Sequence, residues 1–291
     1  MYMEYTKPWM SIDDQVEFLT KKGLACDSPE KLRARLITIG YYRLSAYWFP
    51  YKIVDTSGDT VFRAGTSFEY IMRTYDLDSS LRLLIFEAVG KVEVFLRSRL
   101  AYFAAGENGV FGYPEPIRDR LKREYSAAKR GEQYIKHFAS KYGDVHDLPP
   151  YWMMVECATM GTIEILFANA SPRTRLEVAS ELGVRVPIFK NWLSVLRVSR
   201  NACCHHSRVW NRTWGVRPMI PKSWGSFSAP NDRTFAVLSV FYYVLGIIGE
   251  AEPWRLKLED LLGTYEDIPA TRLGFPRRWR NTDPWAQAKR G

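Results

Sequence analysis

Apolar positions along this chain recur mostly at three- and four-residue steps, the period of a helix with one buried stripe. Ile12, Val16 and Leu19 make such a stripe over residues 11–22, with Ser11 as N-cap and Asp13 and Asp14 in the first turn. Residues 28–39 predict a second short helix, opened by Pro29 and closed by Gly40. The stretch 51–66 alternates instead, around the turn signal Ser57-Gly58-Asp59, and predicts a small hairpin. From Ser67 the helical period returns through Phe68, Ile71, Leu81, Ile85, Val92, Leu96 and Leu100. It predicts one long helix, or two abutting ones, ending near Ala105-Gly106.

Residues 106–117 read as a loop and 118–142 as a charged, weakly amphipathic helix. Leu148-Pro149-Pro150 introduces a helix through about Asn169, with Gly161 in its middle marking close helix packing. A short helix from Ser171 to Gly183 precedes another that starts at Pro187 and runs to about Trp210. After a Pro/Gly/Ser-rich loop (215–230), Asn231 and Asp232 cap a helix through Ile248, and Pro253 starts the last helix, to Leu262. The fold class is therefore all-α. The predicted organisation is an N-terminal extension (1–66) of helices, aromatic segment and hairpin, a helical domain (67–263) and an irregular basic C-terminal tail (264–291).

Charge alters this picture more than composition does. Lysine and arginine (41) outnumber aspartate and glutamate (32), a formal charge of +9 that suits a polyanion, nucleic acid before membrane surface. The longest apolar run, Phe235 to Ile248, is too short and interrupted to span a bilayer. Cysteines 26, 157, 203 and 204 lack paired metal-ligand spacing and read as reduced thiols. With no secretory signal expected in residues 1–10, a cytoplasmic protein without membrane contact, metal site or cofactor is expected. Asp78–Arg82 and Glu93–Arg97 stand four apart and read as solvated helix-surface bridges. Arg43, within the aromatic stretch 40–51, could sit on an RNA-stacking platform, though a packed aromatic anchor is the favoured reading. Most of the ten tryptophans read as core or subunit-interface residues, and His137 and His146 as surface histidines.

One stretch concentrates chemistry: Arg200-Asn201-Ala202-Cys203-Cys204-His205-His206-Ser207-Arg208-Val209-Trp210-Asn211-Arg212. Imidazoles move protons near neutral pH and guanidiniums hold phosphates. On a helix over 188–210, Phe189, Trp192, Leu193, Leu196, Ser199, Cys203 and Trp210 share the core face, and Arg197, Asn201 and Arg208 the opposite one. His205 falls close to Asn201 and is the expected proton-transfer group. His206 falls toward the apolar side, as a buried, hydrogen-bonded support. Arg200 lies roughly 140° from His205, near the edge of the core face. Either the helix distorts near Cys203-Cys204, or two copies of the motif meet across a twofold axis.

The spacing Arg200-x(4)-His205, and the longer string to Arg212, resemble the Abi-like abortive-infection branch of the HEPN superfamily. Further blocks carry the resemblance: Tyr41 to Trp48; Asp78, Leu81, Arg82, Glu93 and Arg97; Pro149 to Trp152 with Glu156, Gly161 and Ile163; and Gly274-Phe275-Pro276 with Trp279. The resemblance implies a HEPN-type helical bundle and a homodimer with two motifs face to face. It also implies metal-independent endoribonuclease activity in anti-phage defence, in which the RNA's own 2′-hydroxyl attacks the adjacent phosphate. Arg200, Asn201 and His205 would then be catalytic; Arg197, Arg208, Arg212 and Arg43 would bind RNA; His206 and Glu156 would support the site. The competing reading is a non-cleaving protein that uses the same basic face to hold a structured, non-coding partner RNA.

Overall fold

Helix α1 (Ile12–Lys21) starts where its cap predicts. In the computed structural model, which describes Glu4, Thr6 and residues 8–286, the Ser11 hydroxyl accepts the Asp14 amide at 3.1 Å and the Asp14 carboxylate accepts the Ser11 amide at 3.2 Å. This reciprocal capping box satisfies two donors that a bare helix end leaves open. The Ser28 hydroxyl caps α2 (Pro29–Thr38) by accepting the Lys31 amide at 3.2 Å, without the reciprocal bond. Gly40, at φ 90°, then turns the chain directly into α3 (Tyr41–Trp48), a conformation open to glycine at little cost. The aromatic stretch is thus a helix with one packed side. Trp48 is buried edge-on to Tyr41 and Phe62, and the buried Tyr47 hydroxyl donates to Asp78 at 2.6 Å. Strands β1 (Lys52–Val54) and β2 (Thr60–Phe62) pair antiparallel, with Lys52 opposite Phe62, around a turn fastened by the Asp55 carboxylate. The predicted hairpin is present, three residues to a strand.

Among the described residues there are twelve α-helices and this single two-stranded ladder, so the protein is an all-α bundle. Two compact units divide it, Met1–Ser80 and Leu81–Gly291, and the division falls inside α4 (Phe68–Asn108). The core of the first unit is Leu19, Leu24, Leu32, Leu36, Leu44, Tyr47, Trp48 and Phe62. The expected solvated pairs on α4 are a correction: Asp78, Arg82 and Arg97 are 0, 6 and 8% exposed.

The second unit breaks two predicted helices. The charged segment divides into α5 (Arg118–Ala128) and α6 (Gln133–Tyr142), with a turn at Arg130-Gly131. The segment after Pro150 divides into α7 (Tyr151–Cys157) and α8 (Met160–Asn169), because Ala158 is extended and Thr159 recaps the chain through the Thr162 amide. Arg97 explains the second break: its guanidinium donates to the Val155 carbonyl and, at 2.7 Å, to the Ala158 carbonyl, and is paired with Glu93. It supplies the donors that the missing helical turn would have provided.

Helices α9 (Pro172–Glu181), α10 (Val186–Cys204), α11 (Thr234–Ile247) and α12 (Ala251–Thr264) complete the unit. Buried on nearly every side, α11 packs against α10 and α12. Its predicted caps are displaced: Arg233 stands at the N-cap, and the Asn231 amide binds the Pro218 carbonyl instead. Residues 265–286 hold two short 3-10 turns and no α-helix, irregular as expected, yet contribute to the core. Trp285 stacks on Tyr242 at 4.1 Å and donates its indole N–H to Ser239 at 2.9 Å, beside buried Phe275 and Trp279. Eight of the ten tryptophans are buried, which settles their main role as core. No helix among the described residues is long and apolar enough to cross a membrane.

Candidate nucleic-acid interface

Helix α10 orders the site by burying one side. Ile188, Phe189, Trp192, Leu193, Val195, Leu196, Ser199, Ala202 and Cys203 are buried. Lys190, Arg200 and Cys204 are exposed, with Arg197 and Asn201 intermediate between them. At 100° per residue Lys190, Arg197 and Asn201 share the polar face, while Arg200, though exposed, falls between buried Phe189 and Leu193, at the edge of the core face as expected.

The helix ends earlier than its pattern predicts. Cys204 is its last residue and His205 its C-cap. The His206 amide donates to the Cys203 carbonyl at 3.0 Å and the Ser207 amide to the Ala202 carbonyl at 2.8 Å. These two bonds make a Schellman turn, whose left-handed residue is usually glycine. Here it is His206, at φ 54°. The expected burial of His206 is therefore wrong: a helical phase carried past Cys204 pointed it at the core, whereas both histidines are exposed at the helix end. Trp210 is buried, but from the loop that follows rather than from α10.

The polar face is tied to its neighbours by carboxylates absent from the predicted site. Glu164, on α8, accepts the Arg197 Nε–H at 2.6 Å and the Ser194 hydroxyl. Glu124, on α5, accepts the Thr159 amide at 2.8 Å, its hydroxyl at 2.9 Å, and the Thr162 hydroxyl. Arg120 donates to Thr162 at 2.6 Å. Three helices are thereby joined beneath Arg197. A signal for Glu164 was present: a carboxylate set among Ile163, Ile165, Leu166 and Phe167 needs a partner. Gly161 lies in the first turn of α8, not mid-helix, and a Cβ there would meet the Arg120 guanidinium at 3.6 Å and Arg197 Cδ at 3.8 Å. Side chains of α5 and α10 thus pack close to Gly161, at ordinary van der Waals distance from where a methyl would sit.

The other predicted residues spread out. Arg208 is half-buried in the loop after the turn. Arg212 donates to the Arg208 carbonyl at 3.2 Å and lies 4.5 Å over the Trp214 ring, so its guanidinium is engaged within the chain. Glu156 is exposed on α7 with no hydrogen bond or ion pair among the described residues, and the supporting acids are Glu124 and Glu164 instead. Arg43 is exposed on α3, in the first unit. By contrast, the side chains of Arg200, Asn201 and His205 make no hydrogen bond or ion pair among the described residues.

Residues 34–211 match the model of a family described as Abi-like protein, more than half of the chain. The chain belongs to the Abi-like family. The match takes in α3, Arg97, α8 and the whole motif as far as Asn211. The block Gly274–Trp279 of this Abi-like chain lies outside the matched residues, as do α11 and α12. Neither the curated proteins nor the solved structures contain a match to the chain.

Charge separates the two units of the Abi-like protein. Residues 1–80 carry 10 lysines and arginines against 11 acids, and residues 81–291 carry 31 against 21. The basic surplus belongs wholly to the unit that bears α10. No group of three or more His, Cys, Asp or Glu among the described residues is arranged to hold a metal ion.

Proposed function

We propose that this Abi-like protein is a HEPN-type endoribonuclease acting in abortive-infection defence, at the end of α10. The observation that carries the reading is the contrast in engagement along α10 and its C-cap. Arg197 is committed to Glu164 at 2.6 Å, while Arg200, Asn201 and His205 keep their polar atoms for something outside the described chain. A half-buried pair joining two helices serves structure; accessible donors and an imidazole left unpaired next to a basic surface suit a polyanion.

The chemistry needs no group beyond these side chains and the RNA. The 2′-hydroxyl attacks the adjacent phosphorus, its proton passes to a base, and the 5′-oxygen leaves with a proton from an acid, giving a 2′,3′-cyclic phosphate and a 5′-hydroxyl. His205 transfers one of these protons. Arg200 stabilises the charge that builds on the non-bridging oxygens, and Asn201 orients the phosphate. One histidine per chain supplies one proton-transfer group, so two copies across a twofold axis near residues 200–205 would furnish base and acid together. Arg208 would extend the contact to flanking phosphates.

The test is incubation of purified protein with total RNA in EDTA, followed by end-group analysis. Cyclic phosphate and 5′-hydroxyl ends are expected, with DNA untouched because it lacks the nucleophile. His205→Ala should bind RNA as the wild type does and melt at the same temperature, yet not cleave. A wild type that binds one structured RNA and never cleaves would favour the holding role; cleavage that requires magnesium would overturn the mechanism.

A further inference from the structure

The block Gly274-Phe275-Pro276 with Trp279 has no part in the chemistry above, yet it helps to shape a cleft. Residues of two segments, 228–233 and 271–276, line a hollow of about 410 Å³, within the size range of small-ligand sites. Both segments belong to the second unit. Gly274 sets how closely they meet: its φ is 91°, and a Cβ there would collide with that of Arg233. Phe275 is buried against Phe235, ring centroids 4.6 Å apart, which holds that side of the cleft in place. Arg233 then joins the cleft to the motif. Its guanidinium donates to the Arg272 carbonyl at 2.9 Å and to the Asn211 side chain at 2.7 Å.

We propose that this cleft holds one unpaired guanosine of a bound RNA, with the base inside and the neighbouring phosphates on Arg277 and Arg278. The polar side chains of the cleft are uncommitted: the Ser228 and Thr271 hydroxyls and the Asp232 carboxylate make no hydrogen bond or ion pair among the described residues. The guanidiniums of Arg272, Arg277 and Arg278 are likewise unpaired there, whereas that of Arg280 is bound to Glu259 at 2.8 Å. Free guanidiniums beside a hollow suit a single strand, whose phosphates stay outside while a base turns in. Asp232 decides which part enters, since a carboxylate repels phosphate and accepts N–H donors. Guanine alone among the RNA bases offers one carboxylate two adjacent N–H groups, at N1 and the 2-amino nitrogen, and a paired bond of that kind to an ionised acceptor is the strong one. Pro230, Phe275 and Pro276 supply apolar surface for the ring.

The cleft is also within reach of the end of α10. His205 and Asn211 stand six residues apart, a span of at most about 21 Å, and Asn211 is held by Arg233, which lines the cleft. A strand seated at Arg200 and His205 therefore meets the cleft within a few nucleotides. The assignment deepens the RNA reading above; it requires that RNA binds, not that it is cut.

The experiment is anisotropy titration of the full chain with labelled single-stranded 2′-O-methyl RNA, which 2′-hydroxyl attack cannot cut. Uridine strands bearing guanosines are expected to bind on the order of 10-fold tighter than the same strands bearing inosine, which lacks the 2-amino group, or uridine alone. Asp232→Asn, whose side chain has no partner to lose among the described residues, should keep its melting temperature and erase that preference. Arg277→Ala/Arg278→Ala should weaken all strands alike and lower the salt slope by about 1.4, at about 0.7 for each phosphate contact. A strand carrying 8-azidoguanosine should cross-link on irradiation within residues 228–233 or 271–276. Equal affinity for guanosine and uridine strands, an Asp232→Asn that keeps the preference, an unchanged salt slope in the double variant, or a cross-link outside both segments overturns the proposal. So does free GMP that binds as tightly as the strand, which would make the cleft a mononucleotide site. A guanosine preference in a chain that never cuts ordinary RNA leaves the cleft assignment standing and removes the nuclease reading; cleavage without a guanosine preference removes the cleft alone.

Discussion

Replacing Arg97 with methionine tests how the α7–α8 break is held. The guanidinium has three sets of partners: the Val155 carbonyl, the Ala158 carbonyl at 2.7 Å, and the Glu93 carboxylate, reached from Nε at 3.0 Å. The Arg97 and Glu93 side chains are only 10 and 17% exposed, so solvent screens the pair weakly. Methionine keeps the apolar stem and removes every donor. It strands a part-buried carboxylate, which costs about 3–5 kcal/mol when a buried pair loses one member. The two orphaned carbonyls add to this in part, each being worth about 1–3 kcal/mol when wholly unsatisfied. The expected loss is about 4 kcal/mol, or a fall in melting temperature on the order of 10 °C for a unit of this size. Urea unfolding followed by circular dichroism measures it. Removing the stranded charge as well, in Glu93→Leu/Arg97→Met, should recover about 2 kcal/mol, because two apolar groups replace an ion pair at little net cost. A single variant within about 1 kcal/mol of wild type would show that neither the carbonyl bonds nor the pair holds the break, and a double variant worse than the single would show that no stranded charge was relieved; either result would refute the reasoning.

The left-handed residue at the end of α10 predicts an ordered series: His206→Gly should be more stable than His206→Val by at least about 1 kcal/mol, since a β-branched residue at φ 54° is strained and glycine is not; equal melting temperatures would mean the turn rearranges freely. Trp285→Ala removes a ring stacked on Tyr242 at 4.1 Å and a bond to Ser239, and should cost about 3–5 kcal/mol by chemical denaturation. Thiol labelling at pH 8 should modify exposed Cys204 first. Burial pushes the Cys157 thiol up to about 11, so it stays protonated and unreactive until the protein unfolds, and early loss of the Cys157 peptide in mass mapping would contradict that.

Local signals in the sequence were legible wherever the structure that answers them is also local. The Ser11–Asp14 box, the Ser28-Pro29 start and the Ser57-Gly58-Asp59 turn all depend on neighbours within a few residues. The buried side of α10 was legible too, because Phe189, Trp192, Leu196, Ser199 and Cys203 repeat at the helical period. What failed was set from a distance. The break after Cys157 depends on Arg97, 61 positions from Ala158, and no glycine or proline marks it. The end of α10 was hidden for a different reason: its turn places a histidine where glycine or asparagine is the usual sign. Continuing the helix one turn too far then sent His206 to the core. The stacking of Arg212 on Trp214 was hidden because a guanidinium over an indole and one facing a phosphate read identically in sequence.

The motif from Arg200 to Arg212 divides at the Schellman turn into two parts with different work. After the turn, the chain is fastened to the start of α11. The Thr234 hydroxyl donates to the Val209 carbonyl at 2.7 Å and accepts the Trp214 indole N–H at 3.1 Å. Arg233 donates to the Asn211 side chain at 2.7 Å, where the backbone is again left-handed at φ 49°. Trp210 and Trp214 are buried beside these bonds. A helix end followed by an untethered loop would fray and let His205 wander, and proton transfer tolerates displacements of only about half an ångström. Fastening residues 209–214 fixes the direction in which the chain leaves His206, and so fixes the cap on which His205 sits. On the proposed nuclease reading, the tryptophans and Asn211 belong in the same string as Arg200 and His205 because they hold the chain there. Substitutions in the second half of the string are expected to act through the position of His205 and through stability together, and those at Arg200 and Asn201 through turnover alone.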